Sequence, residues 1–277
     1  MQAFSFSPAW EPPGGTLGEL TQDAVRRAAL VEGDIADLRA RAGDQTPPVP
    51  FAARLRAPTI GVIAEVKRAS PSKGMLASGL DAADRAALYA SGGAAAISVL
   101  TEPSRFGGSL ADLASVAASV TLPVIRKDFL VAPVQLWEAR ANGASVVLLI
   151  VRSLSPELLR RLVDVADEIG LETLIEVRDE RELDRALAVH ARVVGVNNRN
   201  LETLVIDPST APHVIARIPA AVVAVAESGM QRVDDVAAAA YAGADAILIG
   251  SALSSSADPA GAVRQLTSVP RRTRVVP

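Results

Sequence analysis

The sequence predicts an α/β fold: a (β/α)8 or TIM barrel preceded by an N-terminal helical extension. Three observations point to it. Eight short β-branched or Leu-rich runs alternate with longer segments rich in Ala, Leu and charge. The runs start roughly 20–36 residues apart, the length of a βα unit. Most of them are continuously apolar, as strands of a helix-covered parallel sheet must be. Eight such units in about 220 residues suit the barrel, whose usual size is ~250 residues. A doubly wound sheet would need a Gly-rich nucleotide turn after its first strand, and neither a GxGxxG nor a GxxxxGK[ST] pattern occurs there.

In chain order, the first sixteen residues are rich in Pro and Gly and carry Phe4, Phe6 and Trp10, expected to plug an apolar surface. Leu17, Leu20, Ala24, Leu30, Val31, Ile35 and Leu38 then recur at roughly helical spacing before Gly43, which reads as one or two helices. A Pro-rich connector at 46–50 leads to a boundary near Pro58. Residues 1–57 are thus expected to form an extension packed on the barrel, and 58–277 a single catalytic domain. The expected strands are 59–66, 94–100, 122–126, 145–150, 171–177, 192–196, 221–226 and 245–249. The segment 70–74 suits a lid, and the tail at 271–277, with Arg271, Arg272 and Arg274, a solvated end.

Composition removes several classes of function. There are 28 Lys+Arg against 31 Asp+Glu, a net charge of −3, where nucleic acid or an anionic membrane calls for a basic stripe. With no Cys, disulfides, thiolate catalysis and Cys-ligated metals are excluded. The two His, His190 and His213, fall away from strand ends and are expected on the surface. The N-terminus lacks the basic and apolar regions of a signal peptide, and no apolar run approaches the ~18–20 residues of a membrane span. A soluble, cytoplasmic protein is expected.

Position then points to the chemistry. Nearly every run ends in a charged or amide residue: Glu65 and Lys67, Thr101 and Glu102, Lys127 and Asp128, Glu176, Asn197 and Arg199, Glu227 and Ser228. In a barrel these are C-terminal strand ends, where active sites of this fold are built. Residues two apart share a strand face, so Gly61, Ile63, Glu65 and Lys67 align, as do Gly195, Asn197 and Arg199. Three carboxylates (Glu65, Glu176, Glu227) and three cations (Lys67, Lys127, Arg199) would converge on one pocket and shift one another's pKa values, which suits acid–base work on a small anion. The last two units add Glu227-Ser228-Gly229 and Gly250-Ser251, Gly–Ser turns before helices where this fold commonly holds phosphate.

These blocks carry a family resemblance. Residues 63–74, Ile-Ala-Glu-Val-Lys-Arg-Ala-Ser-Pro-Ser-Lys-Gly, resemble the first-strand signature of indole-3-glycerol phosphate synthases. So do Phe106-Gly107-Gly108-Ser109, Arg126-Lys127-Asp128-Phe129, Leu174-Ile175-Glu176-Val177, Gly195-Val196-Asn197-Asn198-Arg199, Ala226-Glu227-Ser228-Gly229 and Ile249-Gly250-Ser251, all in order between Leu17 and Leu253. The resemblance implies a monofunctional enzyme of tryptophan biosynthesis, a monomer or weak homodimer acting without cofactor or metal. It would close the ring of 1-(2-carboxyphenylamino)-1-deoxyribulose 5-phosphate with loss of carbon dioxide and water. It also implies roles. Lys127 is the general acid, Glu176 the acid/base of dehydration, and Lys67 a second acid or an anion anchor. Glu65 and Asn197 position hydroxyls and lysines, with Ser228 at the same centre. Arg199 and Ser70 face the carboxylate, with Glu227 a further substrate contact. Phe106, Phe129 and Leu148 form the wall for the aryl ring, and Ser228, Gly229, Gly250 and Ser251 hold phosphate. Chemically, ring closure calls for a lysine whose pKa is depressed by other cations, and dehydration for a Glu whose pKa is raised by other carboxylates. Ala132 and Leu204 depart from the Asp and the aromatic common in the family. Two rival readings are another phosphate-binding barrel enzyme and a catalytically silent binder. The absence of Cys disfavours a Cys/Asp isomerase, and the presence of Lys67, Lys127 and Glu176 disfavours mere binding.

Overall fold

A computed structural model describes residues 10–67 and 81–274, and the backbone alone of 69–70 and 74–75. Phe4, Phe6 and most of the expected lid lie outside the described residues.

Eight parallel strands close a barrel: β1 (Gly61–Val66), β2 (Ala96–Leu100), β3 (Val124–Lys127), β4 (Val146–Ile150), β5 (Glu172–Val177), β6 (Val193–Asn197), β7 (Val223–Glu227) and β8 (Ala246–Ile249). Each pairs with its sequence neighbours, and β8 closes on β1. Paired residues trace a circuit Gly61–Ala246–Val225–Gly195–Glu176–Ile150. Four residues earlier on β4 the circuit continues Val146–Ile125–Ser98–Glu65, four residues past its start. The total displacement is eight residues, the shear of this fold. It places Glu65, Lys127, Glu176, Asn197 and Glu227 on inward-facing positions near one end.

All eight expected runs are strands. The first starts at Gly61 rather than residue 59, because Thr59 instead bridges Pro270. The third extends through Lys127, which makes that lysine part of the barrel wall. Buried Val, Ile, Leu and Ala fill the interior and the helix–strand layer, the composition that a chain with 3% aromatics must use.

Helices are started by local signals. Asp81, Ser109, Ser155, Asp179 and Asp258 accept a backbone N–H from the first turn of α3 (Ala82–Ser91), α5 (Leu110–Ser119), α7 (Pro156–Glu168), α8 (Glu180–Ala188) and α12 (Pro259–Thr267). Pro opens α6 (Pro133–Ala141) and the short α4 (Pro103–Phe106) at the position that tolerates it. The remaining helices are α9 (Thr210–Ile215), α10 (Val233–Tyr241) and α11 (Ser251–Ser254). Glu102, a polar strand-end residue, caps α4 through three backbone amides and takes no part in the site.

The extension is two helices, α1 (Gly15–Val31) and α2 (Ile35–Gly43), joined by a 3-10 turn at Glu32–Asp34. Leu17, Leu20, Ala24 and Ala28 give α1 its buried stripe. Its Arg27 forms a bidentate pair with Asp128, at 2.8 and 2.9 Å. Leu38 and Ala42 of α2 join Val134 and Ala141 of α6 in a small second core. Trp10 donates its indole N–H to the Arg152 carbonyl.

The described part of the tail, 271–274, is not free in solvent but tied back to the barrel. Arg271 and Arg274 both pair with Asp245, at 2.7 and 2.8 Å, while Arg272 lies over the Tyr241 ring. Asp245 sits just before β8 under the barrel, so two arginines that look solvated in sequence have a buried carboxylate to neutralise. No helix among the described residues is long and apolar enough to cross a membrane.

Candidate active site

The inward residues at the C-terminal strand ends surround a cavity of about 440 Å³. Glu65, Lys67, Lys127, Asn197, Arg199, Glu227, Ser228, Gly229, Gly250 and Ser251 all line it, with Phe106, Phe129 and Leu148. Two close approaches make room for its carboxylates. A Cβ on Gly195 would lie 2.0 Å from Glu227 Oε1, and one on Gly250 would lie 2.4 Å from Glu65 Oε1. Glycine at those positions lets both carboxylates fold into the barrel mouth.

The charges fall into two groups. Lys67 Nζ stands 2.7 Å from Glu65 Oε1. Burial would raise the Glu65 pKa, but Lys67 and Lys127 outweigh it and hold the carboxyl below its ordinary range. Lys127 Nζ lies 3.8 Å from Glu176 Oε2 and 4.0 Å from Glu227 Oε2. Burial alone would depress this lysine, yet Glu176, Glu227 and Glu65 together raise it. The expectation of a lysine depressed by other cations is therefore overturned, because carboxylates, not cations, crowd its ammonium group. Lys127 is a fully protonated donor. Burial and the adjacent Glu176 carry Glu227 well above the ordinary carboxyl pKa, with Lys127 offsetting only part of it. The raised carboxyl of the site is thus Glu227.

Glu176 stands apart in one respect. Its Oε1 accepts from Asn197 Nδ2 at 3.0 Å and its Oε2 approaches Lys127, but its side chain lines a second cavity of about 130 Å³ behind the first. Asn197, Arg199, Leu201 and Ile150 border both cavities. Asn197 Oδ1 accepts the Arg199 amide, which ties the two residues into one turn, and Arg199 Nη1 donates to the Leu204 carbonyl at 2.8 Å.

The cavity has an apolar side and a polar end. Phe106 and Phe129 approach with centroids 6.3 Å apart, beside Leu148 and Leu100. At the other end, Ser228 and Gly229 take consecutive left-handed backbone angles, φ 62° and 86°, turning the chain sharply out of β7. Asn198 fixes that turn by donating its side-chain amide to the Ser228 carbonyl, while its Oδ1 accepts the Ala211 amide. Ser70 pairs by backbone with Gly74 in a short hairpin, and its side chain lies outside the described residues. His190 and His213 are exposed, His213 beside Glu180.

Some residues around the site escape a reading of strand ends alone. Thr16 and Leu20 of α1 line the cavity, so the extension supplies part of the site wall. Met230, Gln231 and Arg232 border the Ser228–Gly229 end. Asp128, one residue past Lys127, also borders the cavity, and its carboxylate accepts from Arg27, Thr101 and Arg126. Burial opposes its charge, but these donors hold its pKa down at about 2. Nothing local in the sequence could have named Arg27 as its partner.

The solved 3-hexulose-6-phosphate synthase from Salmonella typhimurium superposes with a TM-score of 0.62 at 14% identity, covering 76% of this chain and 97% of that one, a likeness of fold. In sequence, the chain is 54% identical to the indole-3-glycerol phosphate synthase of Nocardioides sp. (strain ATCC BAA-499 / JS614), over 85% of this chain and 90% of that protein. It is 51% identical to indole-3-glycerol phosphate synthase 1 of Streptomyces coelicolor, over 89% and 91%. The family model for indole-3-glycerol phosphate synthase matches residues 20–266, from the first turns of α1 through α12. With barrel, rim charges and sequence in agreement, the chain belongs to the indole-3-glycerol phosphate synthase family.

Proposed function

We propose that this chain converts 1-(2-carboxyphenylamino)-1-deoxyribulose 5-phosphate to indole-3-glycerol phosphate, carbon dioxide and water in tryptophan biosynthesis, as a monofunctional carboxy-lyase. One observation carries the assignment of roles: the Lys127 ammonium stands between Glu176 and Glu227 in a cavity with an aromatic side and a Gly–Ser end. The aryl ring lies along Phe106, Phe129 and Leu148. The phosphate meets Ser228, Gly229, Gly250 and Ser251, and the substrate carboxylate lies toward Arg199 and Ser70.

In ring closure, the ring carbon bearing the carboxylate attacks the carbonyl carbon while Lys127 gives its proton to the carbonyl oxygen, forming a hydroxyl. Lys67, paired with Glu65, faces the same cavity as a second cation for the anionic substrate. Carbon dioxide leaves next, and the electrons of its bond restore the ring. In dehydration, Glu176 protonates the new hydroxyl, which departs as water, and then takes the proton from the neighbouring carbon. Asn197 holds the Glu176 carboxylate in place. The enzyme acts in the cytoplasm. A monomer or weak homodimer is part of the same reading, and sedimentation at working concentration tests it.

The assay is direct. Purified protein mixed with the carboxyphenylamino substrate produces a rise in indole fluorescence with no added metal or cofactor. Folded protein that binds the substrate without any such rise would make the chain a silent binder.

A further inference from the structure

Each turnover of the synthase reaction consumes a proton that Lys127 has to regain. The substrate carboxylate is an anion and carbon dioxide is neutral, so each turnover takes up one proton. In the proposed sequence Lys127 gives that proton during ring closure and is left as a neutral amine. Dehydration does not restore it, since Glu176 gives one proton and recovers one. While substrate or product fills the main cavity above Lys127, a second route to solvent would let the amine recover its proton.

The rear cavity offers one. It is bordered by Glu176, whose carboxylate lies 3.8 Å from Lys127 Nζ, and by Glu182 in the first turn of α8. Its volume of about 130 Å³ has room for several waters, each needing ~10–15 Å³ on this measure. Polar groups line it, and it reaches the surface beside the exposed Asp179. Resting on the synthase reading, we infer that Glu182 is a proton-relay residue, passing solvent protons through the rear cavity to Glu176 and thence to Lys127. In each cycle Glu176 gives its proton to the Lys127 amine, restoring the ammonium. Glu182 then reprotonates Glu176 through cavity water, and solvent reprotonates Glu182.

The surroundings of Glu182 fit this role. Burial is the main cause that lifts its pKa to about 7, with Asp179 and Glu176 adding to it. The Arg178 backbone N–H, at 2.8 Å, and Arg152 oppose the rise. Arg185 on its own helix, and Arg199 and Glu202 from the loop after β6, are the other charged groups facing it. A carboxyl poised near neutrality exchanges protons readily in both directions. Glu182 also has an ordinary structural use. It is the third residue of α8, after the Asp179 cap, where a carboxylate or an amide both serve.

That double role makes Glu182→Gln informative, since Gln keeps an acceptor for the Arg178 amide but cannot titrate. Stopped-flow indole fluorescence should show a first turnover at the native rate, one product per site, followed by turnover slowed about tenfold. Imidazole added to the buffer should restore the slow phase. The native steady-state rate should fall as pH rises through about 7, and the variant should lose that limb. Unchanged steady-state turnover in the variant, or an equally slowed first turnover that imidazole does not rescue, would overturn the relay. A native chain without synthase activity would instead remove the reading beneath it, and activity lost in Lys127→Met but untouched in Glu182→Gln would remove the relay alone.

Discussion

At the N-terminal rim of the barrel, Asp245 accepts from Arg271, Arg274 and the Ala224 amide, and Glu172 accepts from the amides of Phe51 and Ala52. At the C-terminal rim, Glu176 Oε2 and Glu227 Oε1 are buried without a hydrogen-bond partner among the described residues, and Lys127 approaches two carboxylates only to 3.8 and 4.0 Å. The same residue types thus serve opposite ends. Below, the carboxylates of Asp245 and Glu172 are closed by short bonds that tie the tail and the connector to the strands. Above, Glu176, Glu227 and Lys127 stay incompletely satisfied, at a cost in stability, and in the proposed mechanism substrate atoms complete them. The division also runs between neighbours at one rim. Both Lys127 and Asp128 border the cavity, but Lys127 stays open to it, whereas the Asp128 carboxylate is held by Arg27 and Thr101.

If the lower rim is a lock, breaking it should unfold the protein without touching the chemistry. Asp245→Ala strands Arg274, whose side chain is 5% exposed, and should cost about 3 kcal/mol. Urea denaturation should register that loss, with kcat at 25 °C unchanged; a large fall in kcat at equal folding would erase the contrast. At the upper rim the effect should reverse. Gly195→Ala puts a methyl group onto the Glu227 carboxylate and should lower kcat/KM about a hundredfold while moving the melting temperature little. Native kinetics in that variant would mean the position of Glu227 does not matter.

The smallest effect concerns Asp128, a closed pair within the open rim. Its folded pKa of about 2 lies below the ordinary 3.8, so its contribution is complete above pH 4 and disappears as pH falls toward 2. A shift of that size is worth about 2 kcal/mol. Arg27→Met should remove much of that acid sensitivity from denaturation curves recorded between pH 5 and 2, and identical curves would assign the effect to other carboxylates.

How far these features could be read in advance follows from the range over which each acts. Alternation and strand-end position are local, so Glu65, Lys67, Lys127, Asn197 and Glu227 could be placed on one rim from the sequence, and the eight strands with them. Partners distant in the chain could not. Arg27 reaches Asp128 across about a hundred residues, and Arg274 turns back under β8 to Asp245. The direction of the Lys127 shift depends on which charges stand nearest in space, and a count of three cations and three carboxylates does not decide it. Glu176 illustrates both sides: its place at the end of β5 was legible, but the second cavity behind it depends on how the loop after β6 and the start of α1 close over α8.

In the proposed mechanism the open charges of one rim do the chemistry, with Lys127 as the proton donor. Lys127→Met should bind a reduced substrate analogue within about tenfold of the native affinity by calorimetry, yet form indole-3-glycerol phosphate at least about a thousandfold more slowly. Product formation at the native rate in that variant would contradict the account.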